Sequence, residues 1–259
     1  FTLEVGSPDG MTTVSNMPAA GSDDLGGGRK RTRFMQTPKM SSYLVFFAIG
    51  DFERTTTTVD GVEVGVVTQR GLGSQASFVL ESTRAILHEY HDYFGIPYAL
   101  PKLDNVAVPG ESQQFSAMEN WGAILTFENA ILLDPAIASE ADAQSAFGTA
   151  AHEISHQWFG NLVTMQWWDD LWLNEGFASW MDERMEMRLH PEWNTALQAI
   201  DVRDRAMERD ALATTHPVVQ HVETVVQADQ AFDEITYQKG QAVIHMLESY
   251  VGDDNWRSG

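Results

Sequence analysis

Up to about Thr68, apolar and polar positions alternate in short runs broken by Gly, Pro and Asp, the punctuation of β structure. Residues 1–5, 11–15, 31–35 and 43–49 are β-prone, and the last run, seven apolar residues long, predicts a buried strand. Residues 52–59 and 62–68 flank Asp60-Gly61. A hairpin is expected there, because both central positions of such a turn need positive φ.

The period then changes. Phe78, Ala85, Ile86, Tyr90, Tyr93 and Phe94 fall at helical spacing from near Ala76, and Gly95 supplies a stop. Pro97 and Pro101 force an extended passage into a strand at 103–108, and a second strand at 123–127 follows the loop 116–120. From Glu140 onward the pattern is mainly helical, with helices expected at 141–158, 171–189, 194–211 and 237–251. His190-Pro191 ends the second and Gly252 closes the last. There is no internal repeat. Sheet first and helices after gives an α+β fold.

Composition narrows the function. With 43% apolar and 10% aromatic residues, the 259-residue chain can bury one large core, or one full domain and part of another. Its 37 acidic and 16 basic residues give a net charge of -21. That field repels phosphate backbones and anionic lipid, so no nucleic acid and no membrane surface are expected as partners, whereas an amine-bearing ligand is drawn in. The charge also serves solubility. The one basic cluster, Arg29 to Arg33 behind Gly26-Gly27-Gly28, reads as a solvated loop or the start of a strand. There is no Cys, which removes disulfides, thiolate catalysis and Cys-ligated metals. No run approaches the roughly 18 apolar residues of a membrane span, so no transmembrane segment is expected. Neither is a targeting segment. The chain begins at Phe1, not Met, and is expected to be an incomplete piece of a longer protein.

One short run carries chemistry. His152-Glu153-Ile154-Ser155-His156 has the HExxH spacing, which on a helix places two imidazoles on one face, within reach of one zinc ion. Glu153, beside the first His, can take a proton from a zinc-activated water without binding the metal. HExxH runs also occur on ordinary surface helices, so the context decides. Ala150, Ala151, Ile154, Trp158 and Phe159 make this helix largely apolar, and buried His and Glu need partners that a shared ion supplies. Glu175, in Leu173-Asn174-Glu175-Gly176, is available as third ligand. Two His and one Glu leave a position open for water, the arrangement of catalytic zinc. A three-histidine site would need Gly and His where Phe159 and Leu162 stand. His88 and His91 read as surface residues; His190, His216, His221 and His245 lack ligand spacing and read as structural.

The run from His152 through Gln157-Trp158-Phe159-Gly160-Asn161 to Asn174-Glu175-Gly176-Phe177-Ala178 closely resembles the aminopeptidase N family of zinc metallopeptidases, the gluzincins. Ala117-Met118-Glu119-Asn120-Trp121-Gly122 resembles that family's exopeptidase signature, and Tyr237-Gln238-Lys239-Gly240 its tyrosine-bearing helix start. Pro101-Lys102-Leu103-Asp104 and Thr215-His216-Pro217-Val218 are similar too. The resemblance implies a thermolysin-like catalytic domain at 51–259, incomplete at its C-terminus, preceded at 1–50 by the tail of a β-rich domain. It implies one zinc ion held by His152, His156 and Glu175, with Glu153 as general base. Glu119 would bind the free α-ammonium of a peptide, Ala117, Met118 and Asn120 would contact the extended substrate, and Tyr237 would donate to the oxyanion. The partners implied are peptides with a free N-terminus. Taken alone, Glu119 is one loop carboxylate among many, and Tyr237 is a packing residue. Ser116 departs from the family's usual Gly, which bears on the specificity pocket, not the reaction. Two rival readings are a hydrolase of an epoxide or other small molecule and a catalytically silent scaffold. Retention of all six residues that carry the chemistry speaks against the scaffold.

Overall fold

The chain opens as its alternating pattern predicts, with β1 (Glu4–Pro8) and β2 (Thr12–Ser15), then β3 (Ala19–Gly26) and β4 (Arg29–Phe34). The computed structural model describes residues 1–112 and 115–258. The chain divides into two compact units, Phe1–Gln157 and Trp158–Gly259.

In the first unit, β1, β4 and β3 form an antiparallel sheet in that order. The basic cluster forms β4, and its partners are acidic strand neighbours: Arg31 pairs with Glu4 at 3.4 Å and Asp23 at 3.3 Å, and Arg33 pairs with Asp23. Exposed pairs of this kind contribute about 0–1 kcal/mol each. They cover the cluster's charge more than they stabilise the strand. β3 was not expected, because it is exposed along nearly all its length and holds a single large apolar residue, Leu25.

The run 43–49 departs from the expected single buried strand. A turn of 3-10 helix at Ser42–Leu44 precedes β5 (Phe47–Gly50), which pairs with β2. Phe47 is 54% and Ile49 39% exposed, while Leu44 and Phe46 are buried. Burial on one side only is the mark of an edge ribbon, not a central strand.

A five-stranded mixed sheet follows, in the order β6 (Phe52–Val59), β7 (Val62–Gln69), β8 (Lys102–Val108), β10 (Ala123–Phe127) and β9 (Ala117–Met118). Asp60 at φ 49° and Gly61 at φ 83° make the expected turn between β6 and β7. β7, β8 and β10 run parallel, and β8 is buried along all but its last residue. That fits a central strand covered on both faces. Val14 and Phe46 pack on Val67, Val106 and Ala123, which joins the β2–β5 ribbon to this sheet. The two-residue β9 stands at its edge, antiparallel to β10.

Helix α1 (Ser77–Phe94) crosses from β7 to β8 and ends where expected, with Gly95 at φ 64° donating to His91 O. A short α2 (Glu128–Ile131) leads to α3 (Glu140–Ser155). Ser139 and Asp142 close a capping box at the start of α3. His91 is not the surface residue expected. It is largely buried, between Asp60 Oδ2 at 2.9 Å and the Tyr98 N–H at 3.0 Å.

The second unit is helical: α4 (Leu171–Leu189), α5 (Thr195–Asp210), α6 (Val225–Gln230), α7 (Gly240–Val251) and α8 (Asp253–Ser258). Residues 174–181 of α4 are all buried, so this stretch shows no apolar stripe in the sequence. α4 meets α7 where two glycines face each other. A Cβ on Gly176 would lie 2.8 Å from the Gly240 carbonyl carbon, so no side chain fits there. Trp180 and Arg184 of α4 hold Glu248 of α7 at 3.0 and 2.6 Å. The β-rich start, mixed sheet and following helices are the α+β order expected. Among the described residues, no helix is long and apolar enough to cross a membrane.

Candidate functional site

In the first unit the HExxH run lies at the end of α3, one turn earlier than the predicted helix limit. His152 sits in the last turn and His156 is the C-cap. Their rings stand edge to face with centroids 4.7 Å apart. The i, i+4 spacing has brought both imidazoles to one side, as two ligands of one ion require. They also sit at the carbonyl end of the helix, where the aligned peptide dipoles favour a cation. His156 and Glu153 are buried, and the Tyr90 hydroxyl, reaching in from α1, donates to Ala151 O at 2.8 Å. That bond fixes the turn beside His152 against the core.

The loop after β9 carries Glu119. Its carboxylate is buried and accepts from the Tyr43 hydroxyl at 3.0 Å. Asn120 is buried too. Its N–H bonds Met118 O at 2.9 Å and its carbonyl accepts from Ala123 N at 3.0 Å, which closes a tight bend back into β10. Gly122 completes the bend at φ 81°. A Cβ there would meet Asn16 O at 2.4 Å, so only glycine fits. Ala117 and Met118 form the edge strand itself.

The loop rests on buried polar side chains. Asn16 donates to Leu44 O at 2.8 Å and Trp121 O at 2.9 Å, and accepts from Phe46 N at 2.9 Å. Lys102 Nζ donates to Gly122 O at 2.6 Å and pairs with Asp104 at 2.9 Å. Burial pushes the Lys102 pKa down and Asp104 opposes that fall. The Pro101-Lys102-Leu103-Asp104 segment thus supports the loop's far end.

In the second unit, Glu175 is buried on α4 and Asn174 Nδ2 lies 3.4 Å from its Oε1. Tyr237 does not begin an α-helix, as expected, but sits in one π-helical turn, Ile235–Lys239, ahead of α7. Single π turns inside helices recur at functional sites, because they rotate one side chain out of the regular helical series. Asp233 fixes the start of this turn. It accepts from the N–H groups of Ile235 and Thr236 at 3.0 and 3.2 Å, and its other oxygen meets His216 Nε2 at 2.8 Å. Lys239 binds Asp210 at 2.7 Å. The structural reading of His216 therefore holds, and its task is to brace the turn that presents Tyr237. The Gly176–Gly240 approach sets the spacing of the helices that follow Glu175 and Tyr237.

Each unit thus gathers its own share of the predicted residues. The first holds His152, Glu153, His156 and the loop of Ala117, Met118, Glu119 and Asn120; the second holds Glu175 and Tyr237. Sequence reasoning missed Tyr43, Asn16, Asp233 and Gln157. Only Gln157 carried a signal, through its place directly after the HExxH run.

A profile described as "Peptidase family M1 domain" matches residues 78–259, and one described as "Peptidase M1 N-terminal domain" matches residues 1–44. The chain is 40% identical over its whole length to "Probable aminopeptidase 2" of Sulfurisphaera tokodaii, of which it covers 33%. It is 42% identical, over 99% of its length, to "Aminopeptidase M1-B" of Oryza sativa subsp. japonica, covering 29% of that protein. It is also 41% identical over its whole length to "Endoplasmic reticulum aminopeptidase 1" of Homo sapiens, covering 27% of it. The chain therefore spans a third or less of the length of these relatives.

Proposed function

The chain belongs to the M1 peptidase family, and from that premise we propose that it carries the catalytic centre of a zinc-dependent aminopeptidase acting on peptides with a free N-terminus. Residues 1–50 are read as the end of a β-rich domain and 51–259 as the catalytic domain. The family profiles support that division by matching either side of it. The zinc ligands of this reading are His152, His156 and Glu175. Two neutral imidazoles and a carboxylate are the donor set of hydrolytic zinc, and they leave a coordination position open.

Zinc bound there supplies a Lewis acid that brings the pKa of water towards about 7 and polarises a carbonyl. The protein's own groups do the rest. Glu153 takes one proton from the attacking water as its oxygen bonds to the carbonyl carbon. The same carboxyl group returns that proton to the leaving nitrogen as the C–N bond breaks. The products are a free amino acid and a peptide shortened by one residue. Tyr237 donates a hydrogen bond to the oxygen that gains charge on the way. Glu119 holds the α-ammonium, and Ala117 and Met118, on the sheet edge, offer backbone groups for an added strand. Asn120 shapes the bend that presents Glu119.

The observation that carries the exopeptidase reading lies within one unit: the HExxH helix and the Glu119 loop are hydrogen-bonded to each other, through Gln157. An amine-reading carboxylate held at a set place beside the metal helix restricts cleavage to the first bond. The full-length protein is expected to contain one zinc ion and to release the chromophore from aminoacyl anilides. Full activity in protein stripped of zinc contradicts the proposal.

A further inference from the structure

Gln157 is 1% exposed and stands one residue past His156. Its Nε2 donates to Glu119 O at 3.2 Å and to Glu153 O at 3.0 Å. Its Oε1 accepts from the Gly122 N–H at 3.2 Å, and the Tyr98 hydroxyl lies 3.5 Å from the same oxygen. One carboxamide thus joins a carbonyl in the last turn of α3 to both ends of the bend 119–122.

The pattern demands an amide of this length. Two carbonyls require donors and one N–H requires an acceptor, which fixes which end of the group is oxygen. A carboxylate would supply no donor. An aliphatic chain would take all three of these bonds away from the backbone. The partner positions have little freedom: Gly122 sits at φ 81°, the carbonyl of Trp121 before it accepts from Asn16, and its own carbonyl accepts from Lys102.

We propose that Gln157 is a positioning residue that sets the distance between the α-ammonium site at Glu119 and the metal-ligating helix, and so fixes cleavage at the first peptide bond. This rests on the aminopeptidase reading above. Gln157 touches neither the substrate nor the reacting atoms; it acts through the Glu119 loop. Slack in that loop loosens the grip on the ammonium while the base and the metal ligands stay in place.

The test is a double-mutant cycle in the zinc-loaded full-length protein, using Gln157→Met and Glu119→Gln. Gln157→Met is expected to keep one zinc per chain and to raise KM for an aminoacyl anilide about ten-fold, with a smaller change in kcat. In the Glu119→Gln background the same change is expected to cost less than about two-fold, because the two residues act through one contact. Amide hydrogen exchange across 116–122 is expected to accelerate by about ten-fold. If Gln157→Met does not fold, Gln157→Glu, which keeps the acceptor for Gly122 and removes both donors, is read in the same two backgrounds. Equal losses in both backgrounds, or unchanged exchange in 116–122, overturns the proposal. A wild-type protein with no preference for free amines over Nα-acetylated substrates instead refutes the functional reading, whatever Gln157 does.

Discussion

Glu153→Gln is expected to leave zinc content unchanged and to lower kcat by about 10²–10⁴-fold, the range that a positioned general base supplies. The substitution preserves size and the helix. Glu153 lies on α3 one residue after His152, with its backbone carbonyl tied to the Gln157 side chain, so neither ligand geometry nor burial has reason to change. On the proposed mechanism, what is lost is the group that takes the proton from water and hands it to the leaving amine. Because Glu153 stands outside the proposed ligand set, metal loss and rate loss separate here. Turnover at the wild-type rate contradicts its assignment as base, and loss of zinc would place it among the ligands.

Tyr237→Phe is the second large effect. Removal of one oriented donor to an oxyanion typically costs about 2.7–4 kcal/mol of barrier, about 10²–10³ in kcat. KM is expected to stay close to wild type, since the bond strengthens only as charge develops on the oxygen. The framework of the turn does not depend on the hydroxyl: Asp233 holds its first N–H groups and Lys239 is tied to Asp210. A rise in KM with kcat unchanged would make Tyr237 a ground-state contact.

Much of this was legible before the structure because the signals were local. Asp60-Gly61 announced its turn through a backbone requirement, and Gly95 its helix end in the same way. The HExxH pair followed from helical spacing alone, and its edge-to-face rings at 4.7 Å agree. What escaped was non-local or polar. β3 carries almost no apolar signal, since Asp23 is matched to Arg31 and Arg33 across the sheet and no core residue marks the strand. The π turn at Tyr237 differs from an α-helix by the register of a few hydrogen bonds, which composition does not record. Gln157 reaches Gly122 across 35 positions of the chain, Asn16 acts on partners 28 or more residues away, and Tyr43 on one 76 residues away. A side chain's type says that it can bridge two groups, not which ones the fold will bring to it. Glu119 shows the same limit: without the resemblance it was one acidic residue of 37, and its burial beside Tyr43 became visible only in three dimensions.

The central claim is that a free N-terminus is read beside a hydrolytic metal. It is tested most directly by incubating the zinc-loaded full-length protein with an unblocked peptide and its Nα-acetylated twin, and following products by mass spectrometry. Stepwise loss of single residues from the unblocked peptide, with the acetylated twin left intact, is the expected result. Internal cleavage of both peptides at comparable rates would contradict it.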